Sequence, residues 1–244
     1  MLCSKRPLMQ DIDGDLYNFH FNPEMICEAL AFKLRPGGVI EVSCPSSGTR
    51  WMRHVIQLIS YKGNSTNSYD EFRARSLFLE HLGKRADVVT STPRLILTNI
   101  LPGKLVTTAD AKYGYVAWNP WDVSCSSYSI SMKLRELIER MSFDDFVSMF
   151  LDGRVGVGPY FEHVHAGYVR RKDPNFFFVT YEEMVRDCES VVLRLADFLD
   201  GDYGKSLRKN TELLSLPGDV AKVVYKPAQR QPYAVTTTKY GYRQ

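Results

Sequence analysis

Residues 36–59 read PGGVIEVSCPSSGTRWMRHVIQLI, and this stretch decides the fold. Val39, Ile40 and Val42 form a β-branched run after the Pro36-Gly37-Gly38 turn, which predicts a buried strand over 39–43. Trp51, Val55, Leu58 and Ile59 then stand at i, i+4, i+7 and i+8, one face of a helix. Between strand and helix lie Pro45, Ser46, Ser47, Gly48 and Thr49. Small residues at a helix N-terminus leave backbone N–H groups and the positive end of the helix dipole open to an anion, most often a phosphate. A Walker A loop would read GxxxxGK[ST], and this one does not. Short Ser/Gly turns also occur without ligands, so the pattern alone leaves a phosphate site and an ordinary turn both open.

Working outward, strand-like runs at 94–98, 113–117 and 176–180 alternate with helical ones. Leu134, Leu137, Ile138 and Met141 keep helical spacing. Ser142-Phe143-Asp144-Asp145 reads as a capping box that opens a helix through Phe146, Val147 and Phe150. Val191, Val192, Leu195, Ala196 and Leu199 mark another helix, stopped by Asp200-Gly201. Asp122 is expected to cap a helix after Asn119-Pro120. Strands alternating with helices predict an α/β fold: one domain with a central parallel sheet flanked by helices and a P-loop-like phosphate site. In such sheets ligands bind beyond the carboxyl ends of the strands. The α/β domain is expected over 11–200. Residues 201–244 form an atypical C-terminal segment that loses periodicity from Pro217 onward.

Composition narrows the function. With 244 residues, 44% hydrophobic and 24% charged, the chain can bury a core of ordinary size. A net charge of +3 suits a small anionic ligand and argues against nucleic acid, which asks for a dense basic patch. No apolar run approaches the roughly 18 residues of a membrane span. The first fifteen residues turn acidic before any apolar stretch, so no secretory signal is expected. Five dispersed cysteines with no CxxC fit reduced thiols and a cytoplasmic location. His163 and His165 are two apart on an expected helix, which turns the rings away from each other. A structural histidine is expected there, and no metal.

Four segments carry a resemblance to the cytosolic sulfotransferases. Cys44-Pro45-Ser46-Ser47-Gly48-Thr49-Arg50-Trp51 is similar to that family's loop for the 5′-phosphosulfate of 3′-phosphoadenosine 5′-phosphosulfate (PAPS). Tyr113-Gly114-Tyr115-Val116-Ala117-Trp118-Asn119-Pro120-Trp121-Asp122, followed by Ser126, resembles its 3′-phosphate signature. Arg94–Pro102, RLILTNILP, resembles the segment that carries the general base. Residues 143–199 resemble its downstream half, with Tyr181 at the tyrosine that contacts adenine. The resemblance covers roughly 11–200 and implies PAPS as co-substrate with no metal.

It further implies that Ser47, Gly48, Thr49, Arg50, Trp51, Trp118, Ser126 and Tyr181 bind the nucleotide. Ser46 stands at the loop lysine, Asn99 at the base histidine and Trp118 at the 3′-phosphate arginine. Read alone, Trp118 and Trp121 are expected to pack against a hydrophobic neighbour. The implied activity is sulfuryl transfer from PAPS to a hydroxyl or amine of a small acceptor: a phenol, alcohol, steroid or amine. The implied acceptor pocket is built from variable loops such as 69–82 and 152–160. The alternative is a catalytically weak or inactive relative that binds small molecules or nucleotides. A nucleotide kinase is disfavoured, because the Walker lysine is missing. The family's C-terminal dimer motif is not found, which leaves a homodimer open.

Overall fold

The computed structural model describes residues 9–87, 94–133 and 141–210. The helical spacing at Leu134, Leu137 and Ile138 and the tail from Pro217 lie outside them. A hairpin of β1 (Met9–Ile12) and β2 (Asp15–Asn18) comes first, followed by helix α1 (Pro23–Leu30). Strand β3 (Val39–Val42), helix α2 (Thr49–Ser60), helix α3 (Tyr69–Ala74), strand β4 (Leu77–Phe78) and helix α4 (Leu79–Leu82) come next. Strands β5 (Leu95–Thr98) and β6 (Lys112–Ala117) precede helices α5 (Pro120–Lys133), α6 (Phe143–Leu151) and α7 (Tyr160–Val169). Strand β7 (Phe176–Thr180) leads into helices α8 (Tyr181–Arg186), α9 (Cys188–Leu199) and α10 (Gly201–Lys209). The four expected strands are present, and β4 joins them in one parallel sheet of order β4-β5-β3-β6-β7.

Burial on both faces explains the apolar runs. Val39, Val116 and Val179 point into one core with Trp51, Val55, Ile59, Val192 and Leu195. Ile40, Val42, Tyr113, Tyr115 and Phe176 point into the other with Ala29, Leu79 and Ile96. Helix α2 is buried well beyond its expected apolar face, His54 and Gln57 included. The cause is α3, which lies against its second side. Gln57 Nε2 donates to the Phe72 carbonyl at 2.9 Å, His54 stacks on Phe72, and the Arg53 guanidinium lies 4.4 Å from the same ring. Gly167 lets α7 close onto the sheet, because a Cβ there would meet the Tyr115 ring at 2.7 Å.

Segment 69–82, expected as a loop, folds as α3, β4 and α4. The Ser142 cap is present, its Oγ accepting from the Asp145 N–H at 3.1 Å. At α5 the cap is Asn119 and not Asp122: Asn119 Oδ1 accepts from the Trp121 N–H at 2.9 Å, and Asp122 falls inside the first turn. Helix α9 ends at Leu199 as expected. Asp200 then caps α10, whose Leu207 joins the same core as α9. Cys27, Cys44, Cys125 and Cys188 are free thiols.

Glu41, in the middle strand, points to the α2 side and is only 2% exposed. It borders a small cavity shared with Arg53, Ser76 and Ile56. Ser43 Oγ donates to its Oε1, while Oε2 has no partner. Burial pushes its carboxyl up to about 8, against weaker opposing pulls from Ser43 and Arg53. A carboxyl raised on folding contributes its full stability at low pH. That contribution fades from the unfolded value near 4.5 through the folded value near 8. Glu41→Gln keeps the acceptor and removes the titration. The expected result is a thermal midpoint that falls less than wild type between pH 5 and pH 9. Parallel pH profiles for the two proteins would refute it.

Candidate functional site

Parallel strands bring the four segments to one edge. Asn99 follows β5, residues 43–48 follow β3, Trp118 follows β6 and Tyr181 follows β7, in the spatial order β5-β3-β6-β7. The chain runs outward to β4 and β5 on one side of β3 and to β6 and β7 on the other. The loop after β3 therefore sits where the connections diverge, the usual position of a ligand crevice.

The loop is built for close approach. Ser43, fully buried, accepts on its Oγ from the Val116 N–H at 3.3 Å and ties β3 to β6. The Ser47 N–H donates to the Cys44 carbonyl at 3.2 Å, which turns the chain. Ser46 takes the left-handed conformation at φ 67°, and Gly48 does so at φ 98°. Only glycine fits the second position, because a Cβ on Gly48 would meet Tyr181 Cδ2 at 2.6 Å. The first turn of α2 has no side-chain cap and no acidic residue. Ser47 Oγ and Thr49 Oγ1 are buried with no hydrogen-bond partner. Arg50 is exposed beside them, 5.9 Å from the Tyr69 ring. An uncapped helix start, two unsatisfied hydroxyls and a cation are the groups that an anion at this loop would use.

Aromatic rings close the neighbouring side. Tyr181 stands between Trp118, at 4.6 Å, and Trp51, at 5.5 Å between ring centroids. Trp118 also packs with Cys44, Val123 and Phe146. Its carbonyl accepts from the Tyr160 hydroxyl. Ser126 is half-buried further along α5, and Trp121 is exposed. The structure thus brings the loop, Trp51, Trp118 and Tyr181 into one cluster.

Asn99 holds the β5 end in a network of its own. Its N–H donates to Glu80 Oε1 at 2.5 Å, and its carbonyl lies 3.0 Å from His163 Nε2. A carbonyl only accepts, so Nε2 carries the proton, and Nδ1 accepts from the Tyr115 hydroxyl at 2.8 Å. Burial pushes the imidazole down to about 4, so it is neutral near pH 7. His163 is structural, and His165 is exposed on the same helix. Burial also pushes the Glu80 carboxyl up to about 7. The structural role expected for His163 is present, whereas sequence reasoning missed Glu80 and the partners of His163. Neither carries a local signal, since each acts through a strand distant in sequence.

Comparison with known proteins agrees with this fold. The sulfotransferase domain family model matches residues 36–218. Rabbit (Oryctolagus cuniculus) amine sulfotransferase is 32% identical over 180 residues, 71% of this chain and 60% of the rabbit protein. Human (Homo sapiens) sulfotransferase 4A1 is 33% identical over 183 residues, covering 70% and 63% of the two chains. A crystal structure of retinol dehydratase with retinol and PAP superimposes with a TM-score of 0.66 at 22% identity. It covers 77% of this chain and 66% of that one. The chain belongs to the sulfotransferase family. It spans about three fifths of the length of these two curated relatives. Among the described residues, no helix is long and apolar enough to cross a membrane.

The contact between Gly48 and Tyr181 is open to a direct test. Gly48→Ala is expected to lose about 1–3 kcal/mol in urea denaturation, from the left-handed backbone and the displaced ring. Gly103→Ala is the control, because a Cβ there meets nothing within 4 Å. Equal midpoints for the two variants would remove the contact from the account.

Proposed function

We propose that the chain binds the 5′-phosphosulfate of PAPS at residues 44–51 and transfers its sulfuryl group to a hydroxyl or amine of a small acceptor. The observation that carries this reading is the uncapped N-terminus of α2, with the Ser47 and Thr49 hydroxyls buried beside it and unsatisfied. Family membership and a structural neighbour that binds PAP support the nucleotide. Half-buried Tyr181 offers the adenine an aromatic surface, with Trp118 and the buried Trp51 packed against it. The acceptor lies on the Asn99 side of the loop. One relative is an amine sulfotransferase and the neighbour holds retinol, which sets the scale of acceptor to try first.

In the transfer, the acceptor oxygen or nitrogen bonds to sulfur and the bond from sulfur to the bridging phosphate oxygen breaks. The nucleotide leaves with the electron pair. Loop amides, the Ser47 and Thr49 hydroxyls and Arg50 take up the developing charge. Asn99 cannot accept the acceptor's proton, which passes to water. Loss of a general base costs about 10²–10⁴ in rate, and loss of one preorganised charge about 10²–10³. The two costs do not add. Slow turnover is therefore expected.

Calorimetric titration with PAP is expected to give a dissociation constant in the micromolar range. No heat and no thermal shift at millimolar PAP would end the reading. With labelled PAPS and a panel of phenols and amines, Asn99→His is expected to raise kcat at least tenfold. It is also expected to introduce an acidic limb, since the imidazole must be neutral to accept a proton. Ser46→Lys adds the missing charge at a left-handed position (φ 67°) whose backbone cost serine already bears, and one added charge is worth about 10²–10³ in rate. Its gain is expected to be smaller than that of Asn99→His.

A further inference from the structure

The α2 face of the sheet carries a polar strip that the loop after β3 does not use. Arg53 organises it. Its Nε donates to Ser76 Oγ at 2.8 Å, and its Nη2 donates to the carbonyls of Ser76, Phe72 and Arg73 at 2.6, 3.1 and 3.1 Å. Gln57 Nε2 donates to the same Ser76 Oγ at 2.5 Å. A hydroxyl has two lone pairs and one proton to offer. Both lone pairs of Ser76 Oγ are therefore occupied, and its O–H is left to donate. Glu41, 2% exposed, lines a small cavity together with Arg53 and Ser76. Ser43 Oγ donates to its Oε1, and Ser43 is not among the cavity walls. Oε2 is buried, and no hydrogen bond crosses from it to Ser76 or Arg53. The remaining walls are the apolar side chains of Val39, Ile56, Leu95 and Ile96. The cavity measures about 10 Å³, the space of a single water molecule.

We infer that this cavity is the site of one structural water, held between Glu41 Oε2 and the Ser76 hydroxyl beside the Arg53 guanidinium. Size and polarity select the occupant. The space is too small for an organic ligand, and the guanidinium on its wall repels a metal cation. A cavity this small takes water only where polar groups meet it, and here two of them do. An unmatched buried carboxyl oxygen is costly, and such groups are nearly always matched by protein or by ordered water. The carboxyl proton goes to one lone pair of the water and the Ser76 proton to the other. Strand β3 bonds only to β5 and β6 in the sheet. The water adds a link from β3 to Ser76, in the turn between α3 and β4. The inference is independent of the nucleotide reading.

The test pairs a crystal structure of the full chain, at a resolution that shows ordered water, with oxygen-17 relaxation dispersion, which counts long-lived internal waters in solution. A single density peak is expected within about 3.2 Å of both Glu41 Oε2 and Ser76 Oγ. A cavity without density, or a Glu41 carboxyl with both oxygens bonded to protein groups, overturns the inference. In solution Glu41→Leu, similar in volume and without a polar atom, is expected to hold one long-lived water fewer than wild type. Where Glu41→Leu fails to fold, Ser76→Ala removes the other partner, and the same loss is expected. A count unchanged from wild type in the folded variant overturns the inference.

Discussion

Strand β3 bonds on both sides, to β5 and to β6, in parallel register, and the rest of the molecule depends on that arrangement. Parallel pairing forces every strand to finish at the same edge. Residues separated by more than a hundred positions in sequence, such as Trp51 and Tyr181, are thereby delivered to one surface. The loop after β3 has neighbours at both flanks only because β3 is central. Were it an edge strand, either Asn99 or Trp118 would be lost from its surroundings. Even the short hydroxyl bridge from Ser43 to the Val116 amide depends on β6 lying directly beside it.

The polar groups around this edge divide into two kinds. At Asn99 the backbone is engaged, its N–H by the Glu80 carboxyl and its carbonyl by the His163 imidazole, with the Tyr115 phenol behind. Such a network fixes the end of β5 in space but leaves nothing basic to meet an acceptor. Those at Ser47 and Thr49 are unengaged although buried, a state that a folded chain rarely tolerates without a ligand. The contrast supports the proposed reading, in which the anion is held on the β3 side and the chemistry is slow. The side of Trp118 is aromatic, and the packing expected of this residue is realised against Tyr181, Cys44 and Phe146.

The strands of the central sheet were legible because they are buried on both faces and therefore spelled in β-branched and aromatic residues. The Ser142 cap and the end of α9 were legible because caps are local chemistry. The hairpin β1–β2 and the two-residue β4 were not, since so short a strand is defined by its partner and carries no period of its own. Segment 69–82 read as a loop because α3 and α4 are one or two turns long and are held by tertiary contacts, Phe72 against α2 and Leu79 in the core. Asp122 read as a cap by residue type, but Asn119 had the better position, one residue ahead of the proline that opens α5. At the site, the loop and its aromatic neighbours could be named from the sequence. The engagement of Asn99 by Glu80 and His163 could not, because each partner comes from a different element. Glu41 looked like an ordinary strand residue until its neighbours on both sides were seen.

Glu41 and Glu80 share a consequence that reaches past the site. Both carboxyls lie in the interior with values raised to about 8 and about 7, whereas in an unfolded chain they would be ionised at neutral pH. Folding at pH 6 therefore draws protons out of the solvent, and unfolding returns them. The heat of unfolding must then include the heat of protonating whatever buffer is present. The same chain would give different calorimetric enthalpies in phosphate and in an amine buffer at one pH, and the difference counts the protons that the sheet has taken inside.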